Sequence, residues 1–86
     1  MIKFIEETNS IKAYINEQEI GVCEYIEKDN NWNIIHTKVN ENYQGQSIAK
    51  KLVEKVISKA KENNKKVTAT CSYAKRILDN KNKEVR

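Results

Sequence analysis

The residues of this chain with the most to offer chemically are one cysteine, one tyrosine, the single histidine and a run of small residues. The run is Gln44-Gly45-Gln46-Ser47-Ile48-Ala49, and it leads straight into a strongly periodic helical stretch. The first turn of a helix carries backbone N–H groups without internal partners, and its dipole favours negative charge there. Gly45, Ser47 and Ala49 keep this end free of bulk, so a phosphate could approach the backbone closely. Lys50 and Lys51 would add charge attraction. Cys71 sits just before a second helix start, where the dipole can lower a thiol's pKa and expose a nucleophilic thiolate. Tyr73, in the first turn of that helix, could donate a hydrogen bond to developing negative charge. His36, with an unperturbed pKa of about 6.5, could act as a general base. Each group also has a plainer reading: the thiol as packing, the tyrosine as an amphipathic core residue, the histidine as part of a strand, the turn as a turn that binds nothing. Cys23 has only the packing reading.

These residues need elements to hold them. Ile48, Ala49, Leu52, Val53, Val56, Ile57 and Ala60 form a stripe at helical spacing, with lysines and glutamates on the other face. The stripe predicts a helix from about Gly45 to Asn63, closing where asparagine tolerates left-handed backbone. Upstream, Lys3 to Glu7 and Ile11 to Ile15 read as short strands separated by Thr8-Asn9-Ser10, with Asn16-Glu17-Gln18 as the next turn. Glu19 to Glu27 reads as a strand whose alternation slips at Val22-Cys23 or Tyr25-Ile26, so it is either covered on both faces or bulged. Asp29-Asn30-Asn31 makes a hairpin turn. Trp32 to Val39 follows, with Trp32, Ile34 and His36 on one face and Ile35, Thr37 and Val39 on the other. Lys66 to Thr70 reads as the last strand, with Val67, Ala69 and Cys71 pointing one way. Ser72 is then the N-cap of a short final helix carrying Tyr73, Ile77 and Leu78. Strand, long helix and strand in succession imply a right-handed parallel crossover. The expected class is α+β: a mixed sheet of about five strands, one long helix and one short C-terminal helix.

Length and composition set the bounds. The 86 residues are expected to form a single domain, 1–86, whose folding buries about 60–65% of the unfolded surface. Sixteen basic residues against twelve acidic ones give a net charge of +4, which suits an anionic ligand without requiring nucleic acid. No apolar run approaches the length of a membrane span. The segment Met1-Ile2-Lys3-Phe4-Ile5-Glu6-Glu7 is too short and too acidic for a signal peptide. Two cysteines without an export signal argue for a reducing, cytoplasmic setting. With one histidine and no metal-ligand spacing, no metal site is expected. The Lys/Asn-rich tail from Asn80 to Arg86 is expected to fray.

Gln44-x-x-Ser47-x-Ala49 resembles the acyl-CoA signature of the GNAT superfamily of N-acetyltransferases, Q/R-x-x-G-x-G/A, with serine where glycine is usual. With His36-Thr37-Lys38-Val39 upstream and Cys71-Ser72-Tyr73 downstream, the chain looks like the small single-domain branch of that superfamily. The resemblance implies acetyl-CoA as cofactor, CoA as product, and an N-acetyltransferase activity on an unidentified primary amine, by direct attack on the thioester. Gln44, Gly45, Gln46, Ser47, Ile48, Ala49 and Lys50 would hold the pyrophosphate. Thr37 and Val39 would line a gap between splayed strands that takes the pantetheine arm. Cys71 would lie beside the acyl group, Tyr73 would assist the departing thiolate, and His36 is the candidate base. A backbone N–H near Val39 would steady the oxyanion. The acceptor could be a small-molecule or a protein amine. Larger relatives use extra N-terminal helices to bind it. Without them, the acceptor site would be open, shared with the second subunit of a homodimer, or absent.

Two other classes stay in view. One is a non-catalytic acyl-CoA-binding or regulatory module that keeps the cleft and transfers nothing. The other is a nucleic-acid-binding domain, disfavoured because Trp32 and the tyrosines do not interleave with the lysines of the long helix.

Overall fold

The computed structural model describes the backbone of residues 1–84 and the side chains through residue 80. Strands β1 (Ile2–Glu7), β2 (Ser10–Ile15), β3 (Gln18–Lys28) and β4 (Asn31–Val39) form an antiparallel meander. Its hairpins turn on Asn9 (φ 63°), Asn16 (φ 59°) and Asp29 (φ 57°). Asn and Asp tolerate left-handed backbone better than other side chains, so these positions make tight turns without glycine. A 3₁₀ turn at Glu41–Tyr43 follows, then helix α1 (Ile48–Glu62), strand β5 (Lys66–Ala69) and helix α2 (Ser72–Glu84). β5 pairs in parallel with β4, and the sheet order is β1-β2-β3-β4-β5. This is the expected α+β architecture, five strands and two helices.

Helix α1 anchors the fold. It buries Ile48, Leu52, Val53, Val56, Ile57 and Ala60 in a core shared with Ile11, Ala13, Cys23 and Ile34. Each large aliphatic side chain so buried contributes about 1.5–3 kcal/mol. Close approach at one end depends on Gly21, where a Cβ would meet Leu52 Cδ1 and the Lys38 carbonyl, both at 3.2 Å. At the other end Lys59 pairs with Glu6 of β1 at 3.2 Å. The helix closes as its asparagines predict: Asn63 is the C-cap and Asn64 takes φ 58°.

Four details differ from the sequence expectation. Helix α1 starts at Ile48 rather than Gly45, because Gly45 (φ 87°) and Ser47 (φ 62°) are both left-handed and cannot be helical. The faces of β4 do not alternate throughout. Glu24 pairs with His36 but Tyr25 pairs with Ile34, so Ile35 is an extra residue. This bulge turns Thr37 and Val39 to the core face with Trp32 and Ile34, and leaves Ile35 and His36 exposed. The slip expected in β3 is a bulge at Ile20, which falls between the Tyr14–Glu19 and Ala13–Gly21 pairs, while Val22, Glu24 and Ile26 alternate regularly outward. Helix α2 is longer than expected, 13 residues, and runs through Glu84 into the segment expected to fray; residues 85 and 86 lie outside the described residues.

Candidate functional site

The site lies where β4 and β5 part. Only Asn31 to Ile34 of β4 pair with β5. The Ile34 carbonyl takes both Thr70 N–H (3.0 Å) and Cys71 N–H (3.2 Å), and the chain then turns away into α2. β4 continues to Val39 with no strand on that side among the described residues. Asn40 N–H donates to the Ile20 carbonyl at 2.7 Å. By alternation, His36 and Lys38 direct their backbone polar groups to β3, and Thr37 and Val39 direct theirs into the gap. The Val39 carbonyl accepts a hydrogen bond from Gln44 Nε2 at 3.3 Å, which ties the following turn to this edge. Beyond Ile34 this edge of β4 has no β5 residue paired with it.

The gap widens into a cleft of ≈ 450 Å³. It is lined by Thr37, Val39, Gln44, Gly45, Ser47, Ile48, Ala49 and Tyr73, all named from sequence, and by Tyr43, which was not. Tyr43 is the residue in front of the small-residue run, and its partial burial against the core makes it a wall of the cleft. The floor at one end is the start of α1. Its N-cap residue Ser47 makes no side-chain capping bond, so the first-turn amides face the cleft without a partner from their own cap. Left-handed backbone at Ser47 also explains why glycine would suit this position.

At the other end sit Cys71 and Tyr73. Cys71, not Ser72, caps α2: its carbonyl accepts Lys75 N–H at 2.9 Å, and the backbone amides of Ala74 and Tyr73 favour negative charge on its sulfur. Sulfur here does what a hydroxyl or carboxylate oxygen does at most N-caps. The half-buried Cys71 sulfur also lies 3.8 Å from Thr37 Oγ1, and that hydroxyl lies 3.6 Å from the buried sulfur of Cys23. Burial alone would raise the Cys71 pKa. The amides of Ala74, Tyr73 and Thr37 and the Thr37 hydroxyl outweigh it and hold the thiol below its ordinary value. Cys23 goes the other way: burial, only partly offset by Thr37, pushes it up to about 11.

The remaining sequence candidates fall outside the cleft lining. Gln46 and Lys50 are exposed beside the start of α1. Cys71 stands behind Thr37 rather than in the wall. His36 is exposed on β4, opposite Glu24, on the face away from the cleft.

Comparison with known proteins shows the family and the fold. A family model described as GCN5-related N-acetyl-transferase matches residues 10–86. A GCN5-like protein of Staphylococcus aureus superposes with a TM-score of 0.75 at 31% identity, over 94% of this chain and 81% of that one. The PaiA N-acetyltransferase of Thermoplasma acidophilum, solved with coenzyme A, gives 0.60 at 18% identity, over 63% of this chain and 34% of that one. A Bacillus anthracis acetyltransferase structure containing acetyl coenzyme A gives 0.66 at 20% identity, over 86% of this chain and 49% of that one. The chain therefore spans most of the S. aureus protein but half or less of the two larger ones. No curated protein matches it.

Proposed function

The chain belongs to the GCN5-related N-acetyltransferases, and on that premise we propose that this domain, residues 1–86, transfers an acetyl group from acetyl-CoA to a primary amine in the cleft between β4 and β5. One observation carries the reading. A strand edge left unpaired by β5 after Ile34 leads, through the turn at 40–47, to a helix start whose cap side chain makes no capping bond. That pairing of features fits a ligand with an anionic group at one end and amides along its length, as coenzyme A has. The two larger structural relatives that hold coenzyme A or acetyl coenzyme A support the same assignment.

The residues then take these roles. The first-turn amides from Ile48 to Lys50, with Gly45 and Ser47 giving them access, hold the pyrophosphate. Gln44 fixes the turn to β4 through the Val39 carbonyl. Thr37 and Val39 present backbone groups to the pantetheine amides. A backbone N–H near Val39 donates to the thioester oxygen as negative charge grows there. Tyr73, in the cleft wall, donates its phenol to the leaving thiolate. Cys71 lies next to the acyl end. His36, on the opposite face, would reach an amine only from that side, so the acceptor, bound as the neutral amine, approaches through the gap from the open face of the sheet. A small-molecule or a protein amine fits this open approach, and a second subunit could wall it. Two free thiols suit a reducing cytoplasm.

The test has two stages. CoA should raise the melting temperature, because a ligand bound only by the native state stabilises it. Acetyl-CoA turnover should then follow addition of members of an amine panel, and Tyr73→Phe should lower kcat by about 10²-fold or more with little change in CoA affinity. Stabilisation by CoA with no turnover on any amine would leave an acyl-CoA-binding module instead.

A further inference from the structure

Two thiols share one hydroxyl beside the cleft, and they are not equivalent. Cys71 Sγ and Cys23 Sγ lie 3.8 Å and 3.6 Å from Thr37 Oγ1, on α2's first turn and on β3 respectively. Cys71 is half-buried and Cys23 fully buried. Cys71 sits at the start of α2, and Thr37 can turn its O–H toward the Cys71 sulfur when it is ionised, taking a hydrogen bond from the Cys23 S–H in exchange. Thr37 and Tyr73, the neighbours of Cys71 in space and in sequence, both line the cleft. A ligand anchored by phosphate at the α1 start and laid along β4 would bring its far end to Thr37 and Tyr73, the residues next to Cys71.

We propose that Cys71 is a thiolation site selective for phosphate-anchored disulfides, with coenzyme A disulfide as the class of reagent it takes. This rests on the cofactor reading of the cleft. The Cys71 thiolate attacks one sulfur of the CoA disulfide. A Cys71–S–S–CoA bond forms, the CoA–CoA bond breaks, and the second CoA leaves as its thiolate and is protonated by water. The CoA disulfide is itself the oxidant, so no other is needed. Cys23, protonated and without solvent access, stays unreacted. The mixed disulfide would occupy the acetyl-CoA cleft and shut it until a thiol reduces it.

The experiment incubates the reduced 86-residue chain with CoA disulfide or, at equal concentration, with oxidised glutathione, and follows adducts by intact mass and peptide mapping. Expected is a single CoA adduct on Cys71, removed by dithiothreitol and formed roughly tenfold faster or more than the glutathione adduct, because the anion seat raises the local concentration of the reagent. Cys71→Ser should abolish it, Cys23→Ser should keep it, and Thr37→Val should slow it. Adenosine 3′,5′-bisphosphate should compete. Equal rates for the two disulfides, or an adduct on Cys23, would overturn the proposal. If free CoA still raises the melting temperature in that case, the cleft reading stands without it; if CoA does nothing, both fall. Mapping on the wild-type chain keeps the result decisive even if a variant folds poorly.

Discussion

Cys23 and Cys71 touch the same threonine hydroxyl, yet their environments drive them apart, and the difference can be read as a pH dependence of stability. Burial pushes Cys23 from 9.0 up to about 11. In the unfolded chain the thiol ionises at its ordinary value, so the stability it contributes is complete below pH 9.0 and is lost as pH rises through 11. The full effect is about 2–3 kcal/mol. Cys71 is lowered, so its smaller contribution is present at alkaline pH and is lost as pH falls through its folded value. Urea melts of wild type and Cys23→Ala at neutral and strongly alkaline pH should show the alkaline loss shrinking in the variant; an unchanged pH slope would mean that Cys23 is not held protonated. The left-handed pair in the turn gives a second prediction. Nothing lies within 4 Å of a Cβ built on Gly45, so Gly45→Ala costs only the backbone term, about 1 kcal/mol. Ser47→Gly relieves the same strain and, after the unfolded-state entropy of glycine, should stabilise by up to about 1 kcal/mol while keeping CoA binding. Position 47 was legible in the sequence as a serine where glycine is usual. The sulfur cap at Cys71 was not, because residue preferences at N-caps pointed to Ser72 beside it.

At the level of elements, α1 and its flanking strands were readable because hydrophobic periodicity reports which face is buried. Three turns were readable because Asn and Asp announce left-handed backbone. The bulge at Ile35 was not. Counting by twos along Trp32 to Val39 assumes that every residue has a partner, and one extra residue reverses the faces beyond it. The reversal matters for the site: it turns Thr37 toward Cys71 and sends His36 to the other face. The same region depends on Gly21, which opposes Val39 across β3 and β4 and lets Leu52 of α1 settle against the sheet. Gly21→Ala must move Leu52 or the β4 backbone by a few tenths of an ångström. Overpacking of this kind typically costs about 1–3 kcal/mol. Because the displaced backbone is the strand edge of the cleft, CoA affinity should fall along with stability. A denaturant melt and a CoA titration on this variant check both; a loss of stability with full CoA affinity would mean that the edge does not contact the ligand.

For the whole molecule, small size would make a bound coenzyme A a large part of the stability. The chain buries one core of modest extent around α1, and domains of this length are marginal on their own. Its net charge of +4 and the amide seat at the α1 start both favour an anion. Free CoA at a hundredfold excess over its Kd should add about 2.7 kcal/mol. A domain of this size converts that into a rise in melting temperature of roughly 10–20 °C. Pantetheine carries the amides and the thiol but no phosphate, so it can use the β4 edge and not the helix start. It should need a far higher concentration to give the same shift. Raising the ionic strength should erode the CoA shift and leave the pantetheine shift nearly unchanged, since only the first depends on charge. If the two ligands stabilise alike and respond alike to salt, the Gln44–Ala49 turn is not a phosphate seat, and the cleft holds its ligand by the strand edge alone.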